Sequence, residues 1–321
     1  MHTFTLEGHL FARQPIAVAP PDPYGSSEES PSRLPRAGYS LASSRYIPAS
    51  TLRNAIRHAL VSVVAGVSAE HGKPIDLAPL LVLSKGYIKM KKKKKGEKKT
   101  PENTKKTSTR LQQEREIREK NPILSMLGIW GVPAELSVGN AFPKMDSGED
   151  AWGVAPKEVR KPLETDLESL LVPDDMSLYT QLLDESADSE KDSTGLMHLG
   201  RGWEEIQAGS HCDWKLSLHR PDEFKVGALL AAFRHLSAEP VIGGHRALGR
   251  GLFGVDLEAS VIQHRLLEAP QKQPAGRVKV ERGVFEIDGD LARYLEAFDA
   301  SAKAGFPGID LTLAPSASEA A

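Results

Sequence analysis

A regular hydrophobic pattern that breaks off and later resumes is the feature that most restricts what this chain can fold into. The opening HTFTLEGHLFA alternates, with Phe4, Leu6 and Leu10 on one face and Thr3, Thr5, Glu7 and His9 on the other, which predicts a strand. In IPASTLRNAIRHALVSVVAG, Leu52, Ala55, Ile56, Ala59, Leu60, Val63 and Val64 recur at helical spacing, so an amphipathic helix follows. Ser50 or Thr51 is the expected N-cap and Gly66 the expected stop, with Arg53, Asn54 and Arg57 on the solvent side. From residue 67 to about 200 no steady period is found, and this span reads as inserted material.

Regularity returns at Trp214, Leu216 and Leu218, a second alternating strand, and then at Val226, Leu229, Leu230 and Phe233, a helix over about 222–236. A glycine-rich turn, VIGGHRALGRGLFGVDL, leads into another strand. RVKVERGVFEIDG predicts a hairpin turning at Arg282 and Gly283, and Leu291, Tyr294, Leu295 and Phe298 mark a last short helix. Strand, helix, inserted strands, strand, helix, strand is the order of a split βαβ sheet. The expected class is therefore α+β, with a ferredoxin-like or RRM-like body from 1–66 and 200–310 and a disordered tail at 311–321. Such a sheet leaves one face free of helices, the face that RNA-recognition modules present to single strands.

With 321 residues, of which 40% are hydrophobic, the chain can bury a sizeable core. Its longest strongly apolar stretch, Ala59 to Val67, is far short of the roughly 20 residues that a membrane span needs, so no membrane partner is expected. The N-terminus lacks a basic start followed by an apolar block, which makes the cytoplasm the expected location. Cys212 is the single cysteine; it can make no internal disulfide and no Cys-based metal site, and buried filler is its expected role. None of the ten histidines stands in H-E-x-x-H, H-x-H or paired Cys and His spacing, and no G-x-S-x-G elbow occurs. No catalytic residue, metal site or cofactor is expected.

The net charge of −2 hides two opposed blocks. Lys85 to Lys120 carries 12 Lys and 3 Arg against 5 Glu, a net +10, whereas Asp146 to Asp192 carries 14 acidic against 4 basic residues, a net −10. The basic block includes Lys91, Lys92, Lys93, Lys94 and Lys95 in succession. Flexible point charges of this kind suit sequence-independent contact with phosphates, although a solvated insertion or a targeting signal has the same composition. Polarity of this sort also suits self-association, basic to acidic.

Two further segments point to a polyanion. In the turn, Gly243, Gly244, Gly249 and Gly251 permit close backbone approach and exposed N–H groups, while His245, Arg246 and Arg250 add donors. It is neither G-x-G-x-x-G nor a G-K-[ST] phosphate loop, and a tight strand connection is the plainer alternative. At the start of the first helix, Ser50, Thr51, Arg53, Asn54 and Arg57 would sit beside the positive end of the dipole, where a phosphate could bind, or would form an ordinary solvated face. Arg13, just past the first strand, completes the set of candidate RNA contacts.

Three segments, in order, resemble the RAMP superfamily of CRISPR-associated proteins. YIPASTLRNAIRHAL resembles an I-P-G-S-S-L-K-G-x-x-R helix, with Ala49 and Asn54 in place of the glycines. SMLGIWGVPAELSVGNAFP resembles an L-F-G segment followed by x-V-x-D-A, with Asn140 where Asp is common. IQAGSHCDWKLSLHR and GGHRALGRGLFGVDL resemble the P-A-G-T-x-F strand and the terminal G-G-x-x-x-x-G-x-G turn. The likeness covers 1–66, 121–143 and 200–260 and is greatest to the type IV effector backbone subunit, with the type III subunit as runner-up.

The resemblance implies a hand: an RRM-like palm, a finger insertion at 67–140 holding the Lys-rich loop, and a thumb at 141–199. It implies a crRNA-binding backbone subunit that stacks head to tail with further copies of itself in a type IV effector complex, with other effector subunits, target DNA reached through guide pairing, and a DinG-type helicase as partners. Type III subunits cut target RNA with an Asp in a G-G-x-D-x-P-V-I-R type loop. Here only Asp22, in PPDPYG, and Glu28 and Glu29 are available, and the pattern is missing. A non-cleaving scaffold is therefore expected; the alternatives are a type III-like subunit cleaving through the loop Asp and a stand-alone single-stranded RNA-binding protein.

Overall fold

A computed structural model describes residues 2–18, 34–37, 44–86, 110–129, 131–144, 152–155, 158–159, 198–199, 203–244, 249–265 and 267–313. The chain forms β1 (His2–Ala12), α1 (Ala49–Glu70), α2 (Leu77–Lys85), α3 (Arg110–Lys120), α4 (Pro122–Leu127), β2 (Leu136–Val138) and β3 (Phe142–Pro143). There follow β4 (Trp152–Ala155), β5 (Glu158–Val159), β6 (His198–Leu199), β7 (Trp203–Ile206), β8 (His211–His219) and α5 (Glu223–Leu236). The last elements are β9 (Phe253–Gln263), β10 (Gln271–Glu281), β11 (Val284–Ile287) and α6 (Leu291–Lys303).

The architecture is α+β around one antiparallel sheet. Its strand order is β11-β10-β9-β1-β8-β2, with β3 also paired to β8, and the pairs β4-β7 and β5-β6 lie outside it. Register follows the hydrophobic alternation: Leu6 faces Leu216 on β8 and Ala259 on β9, and Phe4 faces Leu218 and Val261. Since directly paired residues share a face, Phe4, Leu6, Leu10, Leu216, Leu218, Val255 and Leu257 form one apolar surface. They join Leu52, Ile56, Leu60 and Val64 of α1, Leu229, Leu230 and Phe233 of α5, and Phe298 of α6 in a single core.

The elements with a clear period stand where their sequence puts them. Asp222 accepts from the Lys225 amide at 2.7 Å and starts α5, and β10 turns into β11 through Arg282 and Gly283. Cys212 is buried within the core, and burial followed by the Asp213 charge pushes its thiol up to about 12. On the polar face of β1, Thr3 and Thr5 are buried. The Thr5 hydroxyl meets that of Ser260 at 2.7 Å, which satisfies both groups without water.

The two expected ends of the first helix are corrected. Pro48 is the N-cap residue, with Ser50 and Thr51 already inside the first turn, and the Asn140 side chain reaches across to accept from the Ala49 amide at 2.7 Å. Ile47 and Ala141 exchange backbone bonds at 2.9 and 3.0 Å, which brings Asn140 within reach. Gly66 does not stop the helix. It continues to Glu70 because Val64 and Ser68 stay buried on either side of that glycine.

The non-periodic middle contributes to the same body. Ile123, Leu124, Met126 and Leu127 of α4 are all buried, and a helix covered all round shows no stripe. α3 is the reverse case: Ile117 is its buried anchor and its charges pair along the helix, Glu114 with Arg118 and Glu116 with Lys120. Glu135 draws these parts together, meeting Arg118 at 3.1 Å and Lys225 of α5 at 2.9 Å. Most of the acidic stretch 146–192, and the tail from 314 onward, lie outside the described residues. Among the described residues no helix is long and apolar enough to cross a membrane.

Candidate nucleic-acid interface

α1, the end of α5 and the glycine turn border an open cavity of about 490 Å³. Thr51, Asn54, His58 and Ser62 line it from α1, His235 from the last turn of α5, Glu239 from the turn that follows α5, and Gly243 from the glycine turn. The four α1 residues follow one another at intervals of three and four, so they form a polar stripe along a single face of the helix. Two imidazoles, two hydroxyls, an amide and a carboxylate supply hydrogen-bond donors and acceptors around a site floored by Ala55, Ala59, Leu236, Val241 and Ile242. Such a lining can hold sugar and phosphate oxygens. Among the described residues no group of three His, Cys, Asp or Glu is placed to hold a metal.

The turn is held in place by backbone bonds. Gly244 donates to Ala17 and Gly251 to Pro15, each at 2.9 Å, while Ile242 donates to Gly251 at 2.9 Å and Val241 bridges Leu252. Ile16, between those two acceptors, pairs with Ile206 of β7. Gly243 and Gly251 have φ of +81° and +92°, and a Cβ at either would collide with the carbonyl of Ala17 or Ile242. The expectation of exposed N–H groups is therefore corrected for Gly244 and Gly251, whose amides are spent in holding the turn against the segment after β1.

The candidate cations divide into two groups. Arg57 was expected on the solvent side and is instead buried: its guanidinium donates to Leu83 at 2.8 Å, Leu127 at 2.6 Å and Gly128 at 2.8 Å. Those carbonyls end α2 and α4, where helices leave acceptors unpaired. Burial, and secondarily the Arg53 charge, lower its pKa to about 10, so it stays charged at neutral pH. Arg53 donates to Leu136 at 3.2 Å; Arg250 is ion-paired with the buried Glu205; Arg13 meets Glu281 at 2.7 Å. Lys91 to Lys95, His245 and Arg246 lie outside the described residues, as do Asp22, Glu28 and Glu29.

The structure thus brings Thr51, Asn54 and Gly243 into one site, leaves Ser50 exposed outside the cavity lining, and turns Arg57 away from the site. Sequence reasoning missed His58, Ser62, His235 and Glu239. The polar stripe at 51, 54, 58 and 62 was the available signal on α1, whereas His235 and Glu239 have no local pattern that distinguishes them. No family model matches the chain, and no curated protein matches it.

Proposed function

We propose that this chain is a crRNA-binding backbone subunit, of the RAMP superfamily and most like that of type IV effectors. It lies along a guide RNA head to tail with further copies of itself and presents the guide for pairing with target DNA, without cutting either strand. One observation carries the reading: α1 and the glycine turn, each singled out separately in the sequence, line one polar cavity. A second supports it. The run β9-β1-β8-β2, all antiparallel, with α1 after β1 and α5 after β8, fits a ferredoxin-like body whose first and second halves are separated by an insertion.

In this role the cavity grips backbone oxygens through Thr51, Asn54, His58 and Ser62. From Gly244 the chain runs directly into His245 and Arg246, which add hydrogen-bond donors, the guanidinium of Arg246 a cationic one. Lys91 to Lys95 strengthen the hold in a salt-dependent way. Opposed blocks of +10 and −10 suit a heterologous contact between successive copies, which gives an open filament rather than a ring. Asn54→Asp with Ser62→Asp places two carboxylates in the cavity from exposed positions. Affinity for single-stranded RNA should fall at least about tenfold with the melting temperature unchanged. An unaltered affinity would refute the assignment of this site.

A further inference from the structure

The two sides of the cavity differ in chemistry, and Glu239 makes the difference. On the α1 side, the hydroxyl, amide and imidazole groups of Thr51, Asn54, His58 and Ser62 can all donate to phosphate oxygens. Glu239, on the other side, brings a carboxylate, which only accepts. Its place is electrostatically unfavourable, because it follows the C-terminal end of α5, where the helix dipole favours positive charge. No cation offsets it. Arg234, on the last turn of α5, is engaged by Asp299 of α6 through two bonds of 2.8 and 2.7 Å. Among the described residues no hydrogen bond or ion pair holds the Glu239 carboxylate.

The backbone that presents this carboxylate is firmly tied. Ser237 donates to Phe233 at 3.0 Å and accepts from Gly283 at 2.7 Å. Glu239 donates to Leu236 at 3.1 Å and accepts from Val241 at 2.9 Å, and Pro240 accepts from Phe253 at 2.9 Å. The turn is thus fixed to β9 and to the β10–β11 turn as well as to its own helix. A carboxylate without a partner, held on such a turn and lining a cavity, is placed to receive a donor from a ligand.

A nucleic-acid strand carries that donor on its sugar only if it is RNA, as the 2′-hydroxyl that DNA lacks. The rest of the lining suits a sugar. Ala55, Ala59, Leu236, Val241 and Ile242 offer aliphatic contact to ring carbons, and none of the lining residues is a Phe, Tyr or Trp that would stack a base. We propose that Glu239 makes the cavity selective for ribose: its carboxylate accepts a hydrogen bond from a 2′-hydroxyl while the α1 side holds the neighbouring phosphate. The proposal rests on the reading that this cavity binds RNA. It adds which strand the cavity takes: the guide is favoured over single-stranded DNA, which leaves the carboxylate unpaired against its phosphates.

The test uses the full chain, freed of nucleic acid in high salt, and one short single-stranded sequence made as RNA, as 2′-fluoro RNA and as DNA. The fluoro strand keeps the sugar pucker of RNA and loses the hydroxyl donor. By fluorescence anisotropy at one fixed salt concentration, the parent should bind RNA about tenfold more tightly than either of the others. Glu239→Ala should narrow that ratio to about twofold or less by weakening RNA alone, with the melting temperature unchanged. Glu239→Gln, which keeps an accepting oxygen without the charge, should fall between the two. If the parent binds RNA and 2′-fluoro RNA equally, or if Glu239→Ala weakens all three strands alike, the selectivity is refuted and the RNA-binding reading stands. A preference that follows base sequence and not the sugar refutes it likewise, since the carboxylate then answers to a base amine. If the parent binds no RNA, both are refuted.

Discussion

Arg57 donates a 2.6 Å hydrogen bond to the carbonyl of Leu127, and through that contact the first helix closes the end of α4. With Leu83 and Gly128 also bonded, one guanidinium completes the C-termini of two helices that the sequence pattern leaves unassigned. Arg57→Met keeps an unbranched apolar stem, shorter than arginine, and removes all three hydrogen bonds. Chemical denaturation should show a loss of about 2–4 kcal/mol, the cost of leaving buried carbonyls unpaired. A loss below about 0.5 kcal/mol, the level of an ordinary surface substitution, would mean that this side chain is solvated after all.

Arg250 is a structural cation on the same logic. It pairs with Glu205, which is buried on β7, and so fastens the glycine turn to that strand. Arg250→Ala should cost about 2–4 kcal/mol by leaving the carboxylate without its guanidinium. Adding Glu205→Gln should recover part of that loss in a double-mutant cycle. Arg246→Ala, in contrast, should weaken RNA binding without lowering the melting temperature.

Glu204 sets a pH dependence. Burial pushes its carboxyl upward, but the hydrogen bonds from Arg45 and the Leu34 amide, with the charges of Arg36 and Arg45, outweigh burial and hold it below the usual carboxylate range. A lowered folded-state pKa contributes stability above the unfolded value of about 4.3, and that contribution is lost as pH falls through the folded value. Melting curves should therefore show Glu204→Gln less stable than the parent at pH 7, with the gap closing in acid. A constant gap down to pH 3 would contradict this account.

What the sequence made legible follows from how each element is buried. β1, α1, β8 and α5 each have one apolar face against the core, so their periods show in the chain. α4 is covered on every side and α3 nearly uncovered, and neither condition leaves a stripe. The site was half legible for a similar reason: Thr51 and Asn54 stood beside a helix start, and Gly243 in a turn rich in glycine. His235 and Glu239 join it only because α5 and the turn after it pack beside α1. Arginine was misread most, since a long side chain can lie on a nominally polar face and still bury its head, as Arg57 does.

The most direct test of the central claim is to purify the chain without nuclease and sequence the nucleic acid that accompanies it. A guide-bound scaffold should carry short RNAs of common length that share a repeat-like end, on helical filaments visible by electron microscopy. A protein carrying no RNA, or only mixed cellular RNA with no common length or end, would contradict it.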